Sequence, residues 1–442
     1  MGASPDYPAK EPYWWQEAPP VSTSLDDALD RKVDVAIVGA GYAGLSAALV
    51  LARAGRSVAV FDKMRPGEGA STRNGGITSG NLRVAASELS RWLGAEHARA
   101  IEVEAHAARN FLYRLIAEEQ LDCDFKLVGR FLGALGPSDY ETLARGADEL
   151  ARRYGVESFA VPRAEQDRYL GADFYRGGAV RMDIGGLQPA KLHAGLLGAA
   201  RAAGAKVHGE CAVLAINGGP KDFEIHTAAG RVSASNVIVC TNGYTDGANA
   251  WLRRRMVPVR SRIIVTEPLP PETMARLMPS RMMYGETREL GFYFRPSPDG
   301  RRILLGGRDG STGGDPSEPT QFLKDGLASL FPDLRNITIT HSWFGNVAMH
   351  RDMIPRVFAH KGVFYAAGFC GSGVVWGPWL GRHAAVNVLG GDGVKSAFDF
   401  RPPPAIPLYR GKPWFMPIAM QYFRWKDRAR MRRNGRRLTT DG

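Results

Sequence analysis

The stretch VDVAIVGAGYAGLSAALVLARAGRSVAVFDK, Val33–Lys63, decides how this chain is read. Its first apolar run, Val33, Val35, Ile37 and Val38, is nearly continuous, as in a parallel strand buried on both faces. Gly39, Gly41 and Gly44 follow with the spacing G-x-G-x-x-G. In that spacing the first glycine permits a tight turn, the second lets backbone approach a pyrophosphate, and the third lets a helix pack against its strand. A helix is expected from about Tyr42 and Ala43 onward, with free N–H groups and a dipole that favour an anion at its start. Ser57–Phe61 reads as a second strand, ending in Asp62 and Lys63. A carboxylate at Asp62 suits the hydroxyls of an adenosine ribose. Strand, glycine turn, helix, strand and acid in this order predict a dinucleotide-binding unit.

The motif alone does not separate a nicotinamide from a flavin dinucleotide. Its surroundings favour flavin. The unit occurs once, near the start, and is followed by KMRPGEGASTRNGGITSGNL (63–82), a long loop rich in Gly, Ser and Thr. Such a loop supplies backbone donors for a pyrophosphate and a ring. A nicotinamide-dependent dehydrogenase is the rival enzyme reading.

With 442 residues, 44% of them hydrophobic, the chain can bury a large core and more than one domain. Cys123, Cys211, Cys240 and Cys370 lie far apart without a CxxC, so neither a metal site nor a disulfide framework is expected, and a reducing compartment fits. Residues 1–30 contain no apolar run that would make a signal peptide. Asp6 stands where a myristoylation site needs Ser or Thr, and no apolar run approaches the roughly 18 residues of a membrane span. The formal net charge is +12, and RWKDRARMRRNGRR (Arg424–Arg437) alone holds eight basic residues and one acid. That run reads first as a solvated tail, second as a contact for anionic lipid or an acidic partner. Nothing else in the chain suggests nucleic-acid binding.

Along the chain, helices are predicted over Glu96–Glu119, Asp139–Gly155, Pro189 to about Ala203, and Gly377–Leu389. Strands are predicted at Phe125–Leu135, Lys206–His208, Ala212–Ile216, Phe223–His226, Asn236–Cys240, Met256–Leu269, Gly291–Pro296, Arg301–Arg308 and Val363–Ala367. The fold class is therefore α/β: a Rossmann-like dinucleotide domain (31–92, 185–250 and 335–395) with an interleaved α+β substrate domain on a mostly antiparallel sheet (93–184 and 251–334). Residues 1–30 and 396–442 are extensions.

Several stretches together resemble the FAD-dependent amine and D-amino acid oxidase superfamily, on the branch of gamma-glutamylputrescine oxidase-like and glycine oxidase-like proteins. They are PYWW (12–15), the Gly39 motif, GASTRNGG (69–76), GGLQPAKL (185–192), CTNGYT (240–245), TEPL (266–269), ILLGGR (303–308), GFCGSGV (368–374) and PLYRGKPWFMP (407–417). The resemblance covers Tyr13 to about Arg424. It implies FAD, with Asp62 on the ribose and Ala70 and Ser71 by the pyrophosphate. Thr72, Arg73, Asn74, Gly75 and Gly76 belong to the loop that runs along the flavin ring. Val213 would meet the adenine, and Thr241, Asn242 and Gly243 the ribose and pyrophosphate. Gly371, Ser372, Gly373 and Val374 would bring backbone N–H groups and a helix N-terminus to the pyrimidine edge, where reduced flavin is anionic. No cysteine lies in SWFGNV (342–347), where relatives tether flavin, so the FAD is expected to be non-covalent. Ile303, Leu304 and Leu305 stand where relatives place an oxygen-activating lysine. The electron acceptor is thus open between oxygen and a quinone or carrier.

The implied reaction is hydride transfer from the carbon beside an amine nitrogen to flavin N5, giving an imine that hydrolyses. A flavin does that chemistry without a Ser-His-Asp or metal constellation. Candidates for the substrate side are Tyr293 and Arg295, which share one strand face, Trp343 and His350 in HSWFGNVAMHRD, and Trp376. Arg83, in GNLR (80–83), lies near where relatives hold a substrate carboxylate. A cytoplasmic protein is expected, with peripheral contact at the inner face of a membrane through its basic run as the second option; a non-catalytic flavin scaffold is the remaining alternative.

Overall fold

The structure, a computed structural model, describes residues 8–22, 28–308, 317–390 and 395–434. Its first sheet runs Arg356–His360, Val363–Ala367, Gly230–Val239, Lys32–Val38, Val58–Phe61, Lys206–His208. All neighbours on this path are parallel except the first pair. Val213–Gly219 and Asp222–Thr227 join it as an antiparallel meander. The near-continuous apolar strands are explained by burial: Val35, Ala36 and Ile37 are wholly enclosed between layers.

Helices Tyr42–Arg53, Ala95–Glu118, Pro189–Ala202 and Gly373–Leu389 contribute to one core through Leu45, Leu49, Leu112, Leu196 and Leu380. Two of them open at glycine turns, and they cross at backbone contact. A methyl group on Gly381 would overlap the carbonyl of Ala43. This close crossing fixes the relative placement of the Tyr42 and Gly373 N-termini.

The second sheet runs Ile339–Met349, Val257–Thr266, Ile303–Arg308, Tyr293–Pro296, Met283–Glu286, Arg130–Gly133, Gly178–Arg181, Ser158–Val161. It is antiparallel apart from the pairing of Arg130–Gly133 with Met283–Glu286. Three readings of the sequence change. Ile339–Met349, expected within 335–395 of the dinucleotide domain, pairs along Val257–Thr266 and so belongs to the second sheet. The expected strand Phe125–Leu135 contracts to Arg130–Gly133. The helix after GFCGSG begins at Gly373, with Pro378 inside it.

The basic run is also not a solvated tail where it is described. Met416–Arg433 is a helix. Asp427 and Met431 are buried in it, and Met431 joins the core of the second sheet. Arg436 and Arg437 lie outside the described residues.

Candidate functional site

The glycine turn is built as its spacing requires. Gly39 has φ +106°, and a side chain there would press on the Cys240 backbone. A methyl on Gly44 would overlap the Gly39 carbonyl oxygen. Gly41 faces the loop instead: its Cβ would lie 2.8 Å from Ser71 Oγ, and Ser71 Oγ accepts the Tyr42 N–H at 3.1 Å. The Asp62 carboxylate accepts from Ala40 N at 2.8 Å and Met64 N at 3.0 Å. Burial pushes its carboxyl up, and these two donors offset part of that. His193 supports the turn from behind, 2.7 Å from the Ala40 carbonyl. Burial lowers its pKa to about 4, so the ring is neutral and donates through Nε2.

A cavity opens over this turn. It is lined by Gly39, Gly41, Tyr42, Ala43, Asp62, Lys63, Ala70, Ser71, Asn74, Val213, Thr241, Asn242, Gly243, Gly371, Gly373 and Val374, among others. Most of the residues expected to hold a dinucleotide are therefore brought to one surface. Gly44, Thr72 and Gly76 are not on it. Gly44 serves helix packing. Thr72 is buried and bonded to Trp15 Nε1 and the Gly67 carbonyl. Gly76 passes so close to Leu187 that a side chain would clash.

Ala70, Asn74, Asn346, Val347, Gly371 and Val374 line both this cavity and a second one, so the two are contiguous. The second is about 640 Å³ and lies between the loop and the antiparallel sheet. Arg73, Gly75, Ser372 and Tyr293 line it, with Arg83, Arg130, Arg288, Arg308, Glu286 and Glu289. Tyr293 is the one residue of the five substrate-side candidates that does so. Its hydroxyl lies 3.1 Å from Ser261 Oγ, and burial raises its pKa.

The other four are placed elsewhere. Arg295 is buried and donates through Nη1 to the carbonyls of Leu187, Gly76 and Gly75 at 2.7, 3.2 and 3.3 Å. Trp343 Nε1 donates to the Arg73 carbonyl at 3.0 Å. Both therefore hold the loop rather than line the chamber. Trp14 and Trp15 of PYWW do the same, donating to the Asn74 carbonyl and Thr72 Oγ1, each at 2.8 Å. Trp376 is wholly buried against Phe398. His350 lies under the second glycine turn, with Nε2 3.2 Å from the Gly368 carbonyl and Nδ1 2.7 Å from Asp352.

Sequence reasoning missed Arg130, Arg308 and Glu286. Arg130 sits on a strand whose period placed it on a face but could not say what the face meets. Arg308 closes the ILLGGR segment as its single charged residue, which was a usable signal.

The sequence model of the family described as FAD dependent oxidoreductase, DAO, matches residues 34–386. The chain is 30% identical over 437 residues to "Probable oxidoreductase OrdL" of Rhizobium meliloti (strain 1021), covering 95% of this chain and 99% of that one. It is 29% identical to the gamma-glutamylputrescine oxidoreductase of Escherichia coli (strain K12), covering 91% and 95% of the two chains. Among solved structures, glycine oxidase from Geobacillus kaustophilus superposes with a TM-score of 0.69 at 21% identity, covering 83% of this chain and 97% of that one.

Proposed function

This chain belongs to the DAO family of FAD dependent oxidoreductases, and we propose that it oxidises the carbon–nitrogen bond of an amine or amino acid to an imine that water then hydrolyses. Family membership sets aside the nicotinamide reading. One observation carries the proposal: the cavity over the glycine turn adjoins the arginine-lined chamber, the two sharing Asn74, Val347 and Gly371 in their walls. A dinucleotide and a substrate could therefore meet there.

The residues present fit FAD. Gly41 leaves a hollow that a methyl would fill, the Tyr42 helix presents its N-terminus beside Ser71, and Asp62 stands at the end of the second strand. Gly41, Tyr42, Asp62, Ser71, Thr241 and Asn242 would hold the adenine-side half, and Asn74, Gly75, Gly371 and Gly373 the ring. The FAD is proposed to be non-covalent, because SWFGNV (342–347) holds no cysteine. Bound there, the flavin supplies a hydride acceptor at N5.

The chain supplies orientation and electrostatics. The chamber's arginines disfavour an ammonium ion and so favour the neutral amine, the form whose carbon can give up hydride. Tyr293, fixed by Ser261, offers a hydroxyl at the chamber wall. The helix Gly373–Leu389 aims its N-terminus at the shared boundary, where a positive dipole end stabilises developing negative charge. The electron acceptor is proposed as oxygen or a quinone or protein carrier, which the response to air distinguishes. Among the described residues no helix is long and apolar enough to cross a membrane. Any membrane contact would be peripheral, through the exposed Trp414, Ile418, Tyr422 and Trp425 beside the basic run.

The test is an anaerobic visible spectrum of the purified protein during titration with amines and amino acids. Bleaching by one compound class supports the reading, and readmitted air tests oxygen as acceptor. A protein that carries flavin but is bleached by no amine or amino acid overturns it.

A further inference from the structure

Five arginines and two glutamates line the chamber, and the glutamates are already committed. Glu286 accepts from Tyr175 Oη at 2.8 Å, Arg288 Nε at 2.6 Å and Phe292 N at 2.7 Å. Glu289 pairs with Lys426. Arg288 pairs with the Glu286 carboxylate, and Arg73 donates to the Glu68 and Phe344 carbonyls. Arg83, Arg130 and Arg308 are left without a carboxylate partner among the described residues. Arg83 Nε donates to the Cys370 carbonyl, and the Asn81 amide, with its oxygen toward Arg130, accepts from Nη1 at 3.0 Å. Among the described residues Arg130 Nε has no hydrogen-bond partner, and no side-chain hydrogen bond joins Arg308 to another residue.

Arg83 and Arg308 are also close to each other, and Arg130 lines the same chamber. The Cβ position of Gly371 lies 3.2 Å from Arg83 Nη2 and 3.5 Å from Arg308 Nη2, so both guanidinium groups flank one point on the chamber's boundary. Burial first, then like charge from Arg181 and Arg83 on Arg130 and from Arg83 on Arg308, lower the two to about 10 each. Converging cations with unspent donors are costly in the free protein. Such a cost is retained where a ligand neutralises it, and planar guanidinium groups suit carboxylates because two N–H groups can meet two oxygens.

We propose that Arg83, Arg130 and Arg308 form an anion subsite selecting an amine that carries two carboxylates. A single carboxylate between Arg83 and Arg308 would leave two of the three charges uncompensated and Arg130 unengaged, whereas a second carboxylate at Arg130 would leave only one. The inference rests on the proposed reaction for the identity of the amine, but the subsite can be tested without turnover.

The experiment uses flavin-loaded protein and four non-reacting probes: acetate, succinate, glutarate and the uncharged diamide succinamide. Binding is read as a change in the flavin visible spectrum and as a rise in melting temperature. The expected result is that succinate or glutarate binds at least about tenfold more tightly than acetate and that succinamide does not bind. Arg308→Gln and Arg130→Gln should each weaken dicarboxylate binding about tenfold or more. Without ligand, both variants should melt no lower than the parent, because each removes one of three repelling charges. Equal binding of acetate and dicarboxylates, no binding of either, or unchanged dicarboxylate binding in both variants would overturn the subsite. Should neutral amines bleach the flavin while dicarboxylates fail to bind, the subsite falls and the reaction stands. Should dicarboxylates bind as described while no amine bleaches the flavin, the reaction falls and the subsite stands.

Discussion

Asp427, inside the C-terminal helix, accepts the backbone N–H groups of Glu289 and Leu290 at 2.9 and 3.0 Å. Glu289 lines the substrate chamber, so a buried acid in a basic helix anchors part of the chamber wall. Arg430 reinforces the anchor, donating to the Thr287 carbonyl at 2.8 Å and pairing with Asp139. Asp427→Ala leaves two backbone donors unsatisfied at a closed interface. It should cost about 2 kcal/mol of stability and raise KM more than it lowers kcat. Urea unfolding with steady-state kinetics checks both; unchanged KM alongside lost stability would confine Asp427 to folding.

The glycines of the first motif should separate by what their missing side chains face. A methyl on Gly41 meets only the end of the Ser71 side chain, which can turn aside, but it occupies the hollow beside the pyrophosphate position. Gly41→Ala should keep the fold and weaken FAD binding about tenfold or more. A methyl on Gly44 meets the Gly39 backbone, which cannot move without shifting the strand. Gly44→Ala should destabilise the protein by at least about 2 kcal/mol. Flavin content, read as the ratio of visible to ultraviolet absorbance, and melting temperature distinguish the two.

The dinucleotide cradle was legible because its chemistry sits on consecutive residues: strand, turn, helix and acid are one local unit. The substrate chamber was not, because sheet register assembles it. Arg130 reaches it through a parallel pairing with Met283, and Arg308 by lying opposite Ser261 in an antiparallel one. Neither register follows from local pattern. Tyr293 and Arg295 do share a strand face, but the loop 69–76 comes between them. Arg295 grips the loop's carbonyls while Tyr293 looks past it into the chamber. The C-terminal helix was misread for a related reason. Charge composition dominated, and Asp427, the one acid in the run, was the unused sign that this segment docks.

Arg295 is therefore expected to behave as a support for the loop. Its Nη1 satisfies three carbonyl groups, two of them in the Gly75–Gly76 turn. Arg295→Met should cost about 3 kcal/mol and reduce flavin content. It should leave the preference between carboxylated and neutral substrates unchanged in whatever fraction retains flavin. A selective loss of carboxylated substrates would instead place Arg295 in substrate binding, which its position behind the loop opposes.

His350 links stability to pH. Burial alone would lower its pKa, but the Cys370 sulfur and the Asp352 carboxylate outweigh that and raise it to about 9. Asp352 moves the opposite way, to about 2: burial would raise it, and His350 and Arg356 more than compensate. A group whose folded pKa is raised binds more protons folded than unfolded, so stability falls as pH rises. The His350 contribution should be complete below about 6.5, where the unfolded ring is also protonated, and should be lost as pH climbs through about 9. The Asp352 contribution should be complete above about 4 and be lost as pH falls toward 2. Melting temperature should therefore decline from pH 6.5 to 9 in the parent, and His350→Gln should flatten that decline and soften the acid limb to the part that Arg356 sustains. A parent whose melting temperature is level across this range would mean that the buried ring stays neutral and bonds Asp352 through its Nδ1 proton alone.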